Sequence, residues 1–114
     1  MKQTEEKRQA SCVDWVPQAI VNLPVTALEQ NCGLRFTEDL DDLDSFLGTE
    51  TLLADGYEYV LRRYRGEPAN QVTIHLPFEV ADRREIAAAV DAVLKQLRLS
   101  RKVIAWERVP PDEA

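Results

Sequence analysis

The chain predicts an α+β domain: a mainly antiparallel sheet with helices packed on one face. Three observations carry that expectation. Two β-rich runs, Tyr57–Tyr64 and Val72–Leu76, flank the cluster Gly66-Glu67-Pro68-Ala69-Asn70, whose residues tolerate or demand turn dihedrals. An amphipathic helix follows at once, from Asp82 to about Leu97, with Ile86, Val90, Val93, Leu94 and Leu97 on one stripe. Finally, 114 residues of 45% hydrophobic and 30% charged composition suffice for one domain with its own core.

In chain order, residues 1–13 read as a flexible polar tail, residues 14–109 as the domain and residues 110–114 as a frayed end. Asp14–Val21 is apolar enough to touch the domain, but Pro17 lacks a ladder donor, which predicts an edge strand or an extended arm. Thr26 and Glu29 have the spacing of a capping box, and Asn31-Cys32-Gly33 is a stop, so the helix between them is short. Leu34–Thr37 alternates as a brief strand. Leu40, Leu43, Phe46 and Leu47 then fall on one helical stripe whose start is crowded with carboxylates and whose end is Gly48, predicting a short helix, with an acidic loop as the alternative. Thr51-Leu52-Leu53 reads as a brief strand entering an Asp55-Gly56 turn. In the second β-rich run Val72, Ile74 and Leu76 share the core side, while Thr73 and His75 face the wetter one. In the first, Glu58, Val60, Arg62 and Tyr64 share that second face. Val103–Trp106 is the last strand, with Trp106 assigned to the core.

This order of elements, with a right-handed strand–helix–strand crossover over residues 71–107, resembles a ferredoxin-like βαββαβ sandwich with an unusually short first helix. Such an architecture hosts many unrelated activities and specifies none.

Charge excludes some function classes. The net charge is −6, and residues 1–56 hold eleven acidic against four basic side chains, whereas residues 57–114 hold nine against ten. Nucleic-acid binding depends on Lys and Arg neutralising phosphates, and anionic lipid headgroups would repel such a chain. No apolar run reaches the roughly 20 residues of a membrane span, and MKQTEEKRQAS lacks the apolar core of a secretory signal. Two cysteines, Cys12 and Cys32, without C-x-x-C spacing, read as free thiols of a reducing cytoplasm, with Cys32 a small core residue.

The acidic run is the most conspicuous chemistry. Asp39, Asp41 and Glu50 superficially match an EF-hand frame, but Leu43 and Asp44 occupy positions that need a ligand and a glycine, so no metal is expected. Asp39, Asp41, Asp42 and Asp44 instead present a negative surface for a basic protein partner, which Arg62, Arg63 and Arg65 could partly satisfy from within. His75, the sole histidine, has no cysteine pair to build a zinc site; with Glu58 to orient it, it could act as a base, but as a lone strand histidine it reads first as a polar-face residue. Tyr, Trp and Arg are typical of interface hot spots, which singles out Arg62 and Tyr64 beside Glu58. The sequence holds no G-x-S-x-G, H-E-x-x-H or phosphate loop, and no cofactor is expected. The expected function is a non-catalytic protein–protein interaction module (adaptor, inhibitor or immunity-type) or a homodimer. The alternative is a small-molecule binder or small enzyme with a pocket over the open sheet face around His75.

Overall fold

The computed structural model describes residues 14–41 and 44–110. Its architecture is α+β. Seven strands form a sheet in which every pairing is antiparallel: β1 (Trp15–Val21), β2 (Thr37–Leu40), β3 (Ser45–Gly48), β4 (Leu52–Ala54), β5 (Tyr57–Tyr64), β6 (Val72–Pro77) and β7 (Ile104–Glu107). The order is β2-β3-β5-β6-β1-β7, with β4 pairing β5. Two α-helices complete it: α1 (Val25–Cys32) and α2 (Arg83–Leu97).

The two β-rich runs pair as expected, with Val60 opposite His75 and Arg62 opposite Thr73, and they occupy the middle of the sheet. Every residue of β6 is buried. Val72, Ile74 and Leu76 join Tyr59 and Leu61 of β5, Ala19 and Val21 of β1, and the α2 stripe in one core cluster that also takes Leu28 of α1. Alternation along a strand sends successive side chains to opposite faces, so this cluster accounts for one side of β6 only. Tyr59, fully buried, donates its hydroxyl to Gln96 Oε1 at 2.6 Å, and Gln96 Nε2 donates back to the Leu53 carbonyl, tying α2 to β4 and β5. Burial and the nearby Cys32 push the Tyr59 hydroxyl up to about 12, so it stays a donor.

The turns follow local chemistry. Asp55 and Gly56 both adopt positive φ, 52° and 86°, which a two-residue hairpin with the right-handed strand twist requires. Asp82 caps α2 by accepting from the Arg84 and Glu85 backbone N–H groups, and Arg101 closes the segment before β7 with a two-point contact to Glu107.

Five expectations are corrected here. Leu34–Phe36 forms no strand, and β2 begins only at Thr37. The stripe of residues 38–48 is not a helix but the β2–β3 hairpin, with Asp39 opposite Phe46 and Leu40 opposite Ser45. Helical spacing of four apolar residues is overridden because β3 gains a ladder with β5, whereas Leu40 remains exposed. Asp42 and Leu43 lie outside the described residues, as do the tails at 1–13 and 111–114. The capping box does not form: Pro24 is the cap, and Glu29 accepts instead from the Phe36 backbone N–H at 3.1 Å. Strand β1 is not an edge but lies between β6 and β7. Pro17 fits there because β7 runs beside Ala19–Val21 only, and Arg108 donates its side chain to the Pro17 carbonyl where the ladder has not begun. Trp106 is not core. It pairs with Ile20, shares that residue's face on the outermost strand, and is 43% exposed.

Replacing Asp82 with Ala should lower unfolding free energy by about 1 kcal/mol in urea titrations, the usual value of an N-cap. Leu94→Ala, at a buried position of the same helix, should cost about 2–5 kcal/mol. An Asp82→Ala change without effect would mean the cap contributes nothing to helix start.

Candidate functional site

The second sheet face carries the site. Cross-strand pairing aligns Arg62, Thr73, Ile20 and Trp106 in one row over four strands, and Val60, His75 and Pro17 in the next. A bulge between Pro17 and Ala19 lets β1 keep Pro17 and Ile20 on this face while Ala19 and Val21 enter the core. Over these rows lies an open groove of about 630 Å³, within the size range of small-ligand sites. Pro17, Ile20, Thr73 and His75 form its floor. Trp15, Tyr64 and Trp106, from three different strands, stand around it, and Glu67 from the β5–β6 loop completes the rim.

Tyr64 is held in place at one wall. Its hydroxyl donates to Asp41 Oδ2 at 2.6 Å and accepts from Arg62 Nη1 at 3.0 Å. The Arg62 guanidinium lies 4.2 Å from the Phe46 ring centroid, and the Phe46 and Tyr64 rings are 5.1 Å apart in a tilted arrangement. Burial, with the Asp41 carboxylate second, raises the Tyr64 pKa; Arg62 opposes them. A fixed, protonated phenol therefore presents its ring, rather than a free hydroxyl, to the groove.

His75 is 5% exposed, which corrects the expectation of a wet polar-face residue. Pro17 on the adjacent strand and the Tyr64 ring, 6.3 Å away, roof it over. Burial and then the Arg62 charge lower its pKa from 6.5 to about 4, against smaller upward pulls from a Thr73 backbone contact and Asp41. The imidazole is neutral at physiological pH. Its Nδ1 and the Nε of Arg62 are buried without a hydrogen-bond partner among the described residues. Buried polar atoms are rarely left so, and the one on His75 belongs to a residue that lines the groove, which marks this face as something other than optimised core.

The sequence candidates divide. Asp41, Arg62, Tyr64 and His75 come together on this face. Glu58 does not join them: it is exposed at the other end of β5, opposite Leu53, and the charges felt by His75 are those of Arg62 and Asp41. Asp39 and Asp44 stay at the hairpin tip, where Asp39 Oδ1 accepts from the Leu40 N–H and Asp44 Oδ1 from the Ser45 N–H. Asp41 Oδ1 accepts from the Asp44 N–H at 3.0 Å, so the acidic tip is built around its own backbone. Among the described residues no three His, Cys, Asp or Glu side chains are grouped to hold a metal ion. Cys32 is half-buried, donates to the Leu97 carbonyl at 3.4 Å, and burial raises its pKa; it lies away from the groove.

Sequence reasoning missed Pro17, Ile20, Thr73 and Glu67 and misplaced Trp106. The signal for Ile20 and Trp106 was alternation along two short strands, but its phase depends on the bulge in β1. No helix among the described residues is long and apolar enough to cross a membrane. Compared with known proteins, the chain matches no family model, no curated protein and no solved structure.

A neutral buried histidine makes stability depend on pH. Its folded pKa lies below its unfolded value, so the unfolded chain binds more protons between pH 6.5 and about 4, and stability falls as pH drops through that window. The fall should be on the order of 3 kcal/mol by pH 4, read from denaturant midpoints. In His75→Gln that part of the slope should vanish; an unchanged slope would refute burial of the neutral form. Tyr64→Phe, which removes the hydroxyl that links Arg62 and Asp41, should cost about 1–2 kcal/mol at pH 7 in the same assay.

Proposed function

We propose that the protein is a non-catalytic binding module and that its ligand, a small and largely apolar molecule, occupies the aromatic groove on the second sheet face. The carrying observation is the convergence of Trp15, Tyr64 and Trp106 from three strands on a concavity floored by a neutral histidine. Pockets of this kind, mostly apolar with a few placed polar groups, are the usual shape of a small-molecule site. Binding is favoured over proton-transfer chemistry for a geometric reason. The Tyr64 hydroxyl is engaged on both sides by Asp41 and Arg62, and His75 Nδ1 is sealed beneath the surface. Neither is presented to a reacting atom within hydrogen-bond reach.

The groove is preferred to the acidic tip as the interaction surface, because the tip carboxylates of Asp39, Asp41 and Asp44 each accept a local backbone N–H. We infer further that the architecture is a ferredoxin-like βαββαβ sandwich. Strands β7-β1-β6-β5 form its four-stranded core, β2, β3 and β4 are inserted before β5, and both helices lie on the face opposite the groove. The strand order and the single core cluster shared by α1, α2 and the Val72–Ile74–Leu76 side support that reading. Under it, the groove is the face that the helices leave uncovered.

An NMR screen with planar, low-molecular-weight fragments tests the proposal. Hits should shift Ile20, Thr73, His75 and the Trp15 and Trp106 indoles, and leave Asp39 and Asp44 unmoved. Hits confined to the hairpin tip would defeat it. Sedimentation over a range of concentrations supplies the second arm: a dimer that Trp106→Arg dissociates would make the groove an interface between copies of this chain, not a ligand site.

A further inference from the structure

The charge around the groove is asymmetric, and that asymmetry bears on what the groove accepts. Among the described residues, Glu67 is the one carboxylate lining it. Its Oε1 accepts from the Tyr64 backbone N–H at 2.8 Å, which fixes the carboxylate against the end of β5. The neighbouring cation does not neutralise it. Arg63 donates through Nη2 and Nε to the backbone carbonyls of Glu67 and Pro68, and no ion pair to the Glu67 carboxylate forms among the described residues. Glu67 is exposed, and among the described residues no cation is paired with its carboxylate.

The other charges near the groove are differently placed. Arg62 and Asp41 meet at the Tyr64 hydroxyl and largely cancel each other there. Arg108 lies beyond Trp106, its guanidinium carbon 5.9 Å from the indole centroid, with Nε and Nη2 donating to the Pro17 carbonyl. Its contacts are at the Pro17 and Trp106 part of the lining, and none joins it to Glu67 among the described residues. The floor contributes no charge, since His75 is neutral at physiological pH. Aromatic faces carry negative quadrupole density, and a cation placed over Trp or Tyr gains about 0.5–2 kcal/mol depending on desolvation.

Resting on the groove as the binding site, we propose that its ligand is a planar aromatic cation: a ring system that lies over Ile20 and Thr73 against Tyr64 and Trp106, and a protonated amine or amidine that meets Glu67. Strand spacing supports a flat, elongated shape over a compact quaternary ammonium. Tyr64 and Trp106 stand on strands three steps apart, roughly 14 Å between backbones, too wide for rings to close around a single methylated nitrogen. A two-ring aromatic bridges that span. The overall negative charge of the chain acts in the same direction, raising the local concentration of cations over anions.

Both tryptophans of the chain line the groove, so intrinsic fluorescence reads occupancy directly. The experiment titrates three matched probes, 2-naphthylmethylammonium, 2-naphthylmethanol and 2-naphthylacetate, at pH 7 and low salt. The cation should bind tightest, the alcohol more weakly and the acetate weakest. Glu67→Gln should weaken the cation about three- to fivefold while leaving the alcohol unchanged, the size expected of an exposed ion pair. Added salt should remove the same increment. Trp106→Ala should weaken cation and alcohol alike, by about tenfold. Equal binding of all three probes with a silent Glu67→Gln would overturn the charge selection and leave the groove reading standing. Tighter binding of the acetate would overturn it in favour of Arg108 as the recognition group. If none of the three perturbs fluorescence in a variant-free, folded protein, both the cation selection and the groove reading fall. Because Glu67 is exposed and makes no core contact, its substitution should not disturb folding, and circular dichroism of Glu67→Gln verifies that control.

Discussion

Strand β6 is buried along its whole length, and that constraint organises the rest of the molecule. A strand with an apolar side and a polar side normally leaves the second in water. Here Val72, Ile74 and Leu76 are covered by the core, and Thr73 and His75 are covered as well. Burying an imidazole is compatible with folding only if it stays neutral, which couples the strand to its electrostatic surroundings. Arg62 reinforces that neutrality by charge, while Pro17 and Tyr64 exclude water by position. The fold therefore places an unpartnered buried nitrogen, His75 Nδ1, on a residue that lines the aromatic groove.

The walls of the groove are held by interactions that differ in kind. Tyr64 is fixed by charge-assisted hydrogen bonds to Asp41 and Arg62, which are short and directional. Trp106 is fixed by backbone pairing to Ile20 and by the neighbouring Arg108, and its indole makes no hydrogen bond among the described residues. One wall is rigid and anchored to the β2–β3 hairpin; the other sits on a four-residue strand at the sheet edge. A site that accommodates ligands of different length would use the second wall to adjust and the first to orient. Among the described residues, the acidic hairpin contributes to the groove wall through the Asp41 carboxylate, which accepts from the Tyr64 hydroxyl.

Much of the fold was legible in residues whose local chemistry agrees with their tertiary role. Tyr57–Tyr64 and Val72–Leu76 pair because alternation and turn composition point the same way. Asp82 caps α2, Gly33 closes α1 with φ 69°, and Asp55-Gly56 turns a hairpin. Legibility failed where local and long-range preferences diverge. Phe46 and Leu47 have helical spacing with Leu40 and Leu43, yet β5 offers β3 a ladder that no local pattern announces. Thr26 and Glu29 have capping-box spacing, but a more distant backbone donor at Phe36 takes the carboxylate. Of the candidate residues, Arg62, Tyr64 and His75 were found because polar and aromatic side chains alternating on a strand are visible in sequence, and Asp41 because it belongs to a conspicuous acidic run. Glu58 was grouped with them by the same parity, which fixes the face and not the distance.

The amino-acid sequence by itself determined that this is an α+β chain with a central antiparallel hairpin, a strong second helix, and one strand face mixing aromatic, basic and imidazole groups. Periodicity and turn chemistry are local quantities, readable without knowing what lies across the sheet. Only the tertiary structure decided that β1 enters the interior of the sheet despite Pro17, that Trp15 and Trp106 reach the same face as Tyr64, and that His75 is roofed over and neutral. Those outcomes depend on strand order and on one bulge that shifts the phase of β1. Register is a property of pairs of strands, and no single strand encodes it.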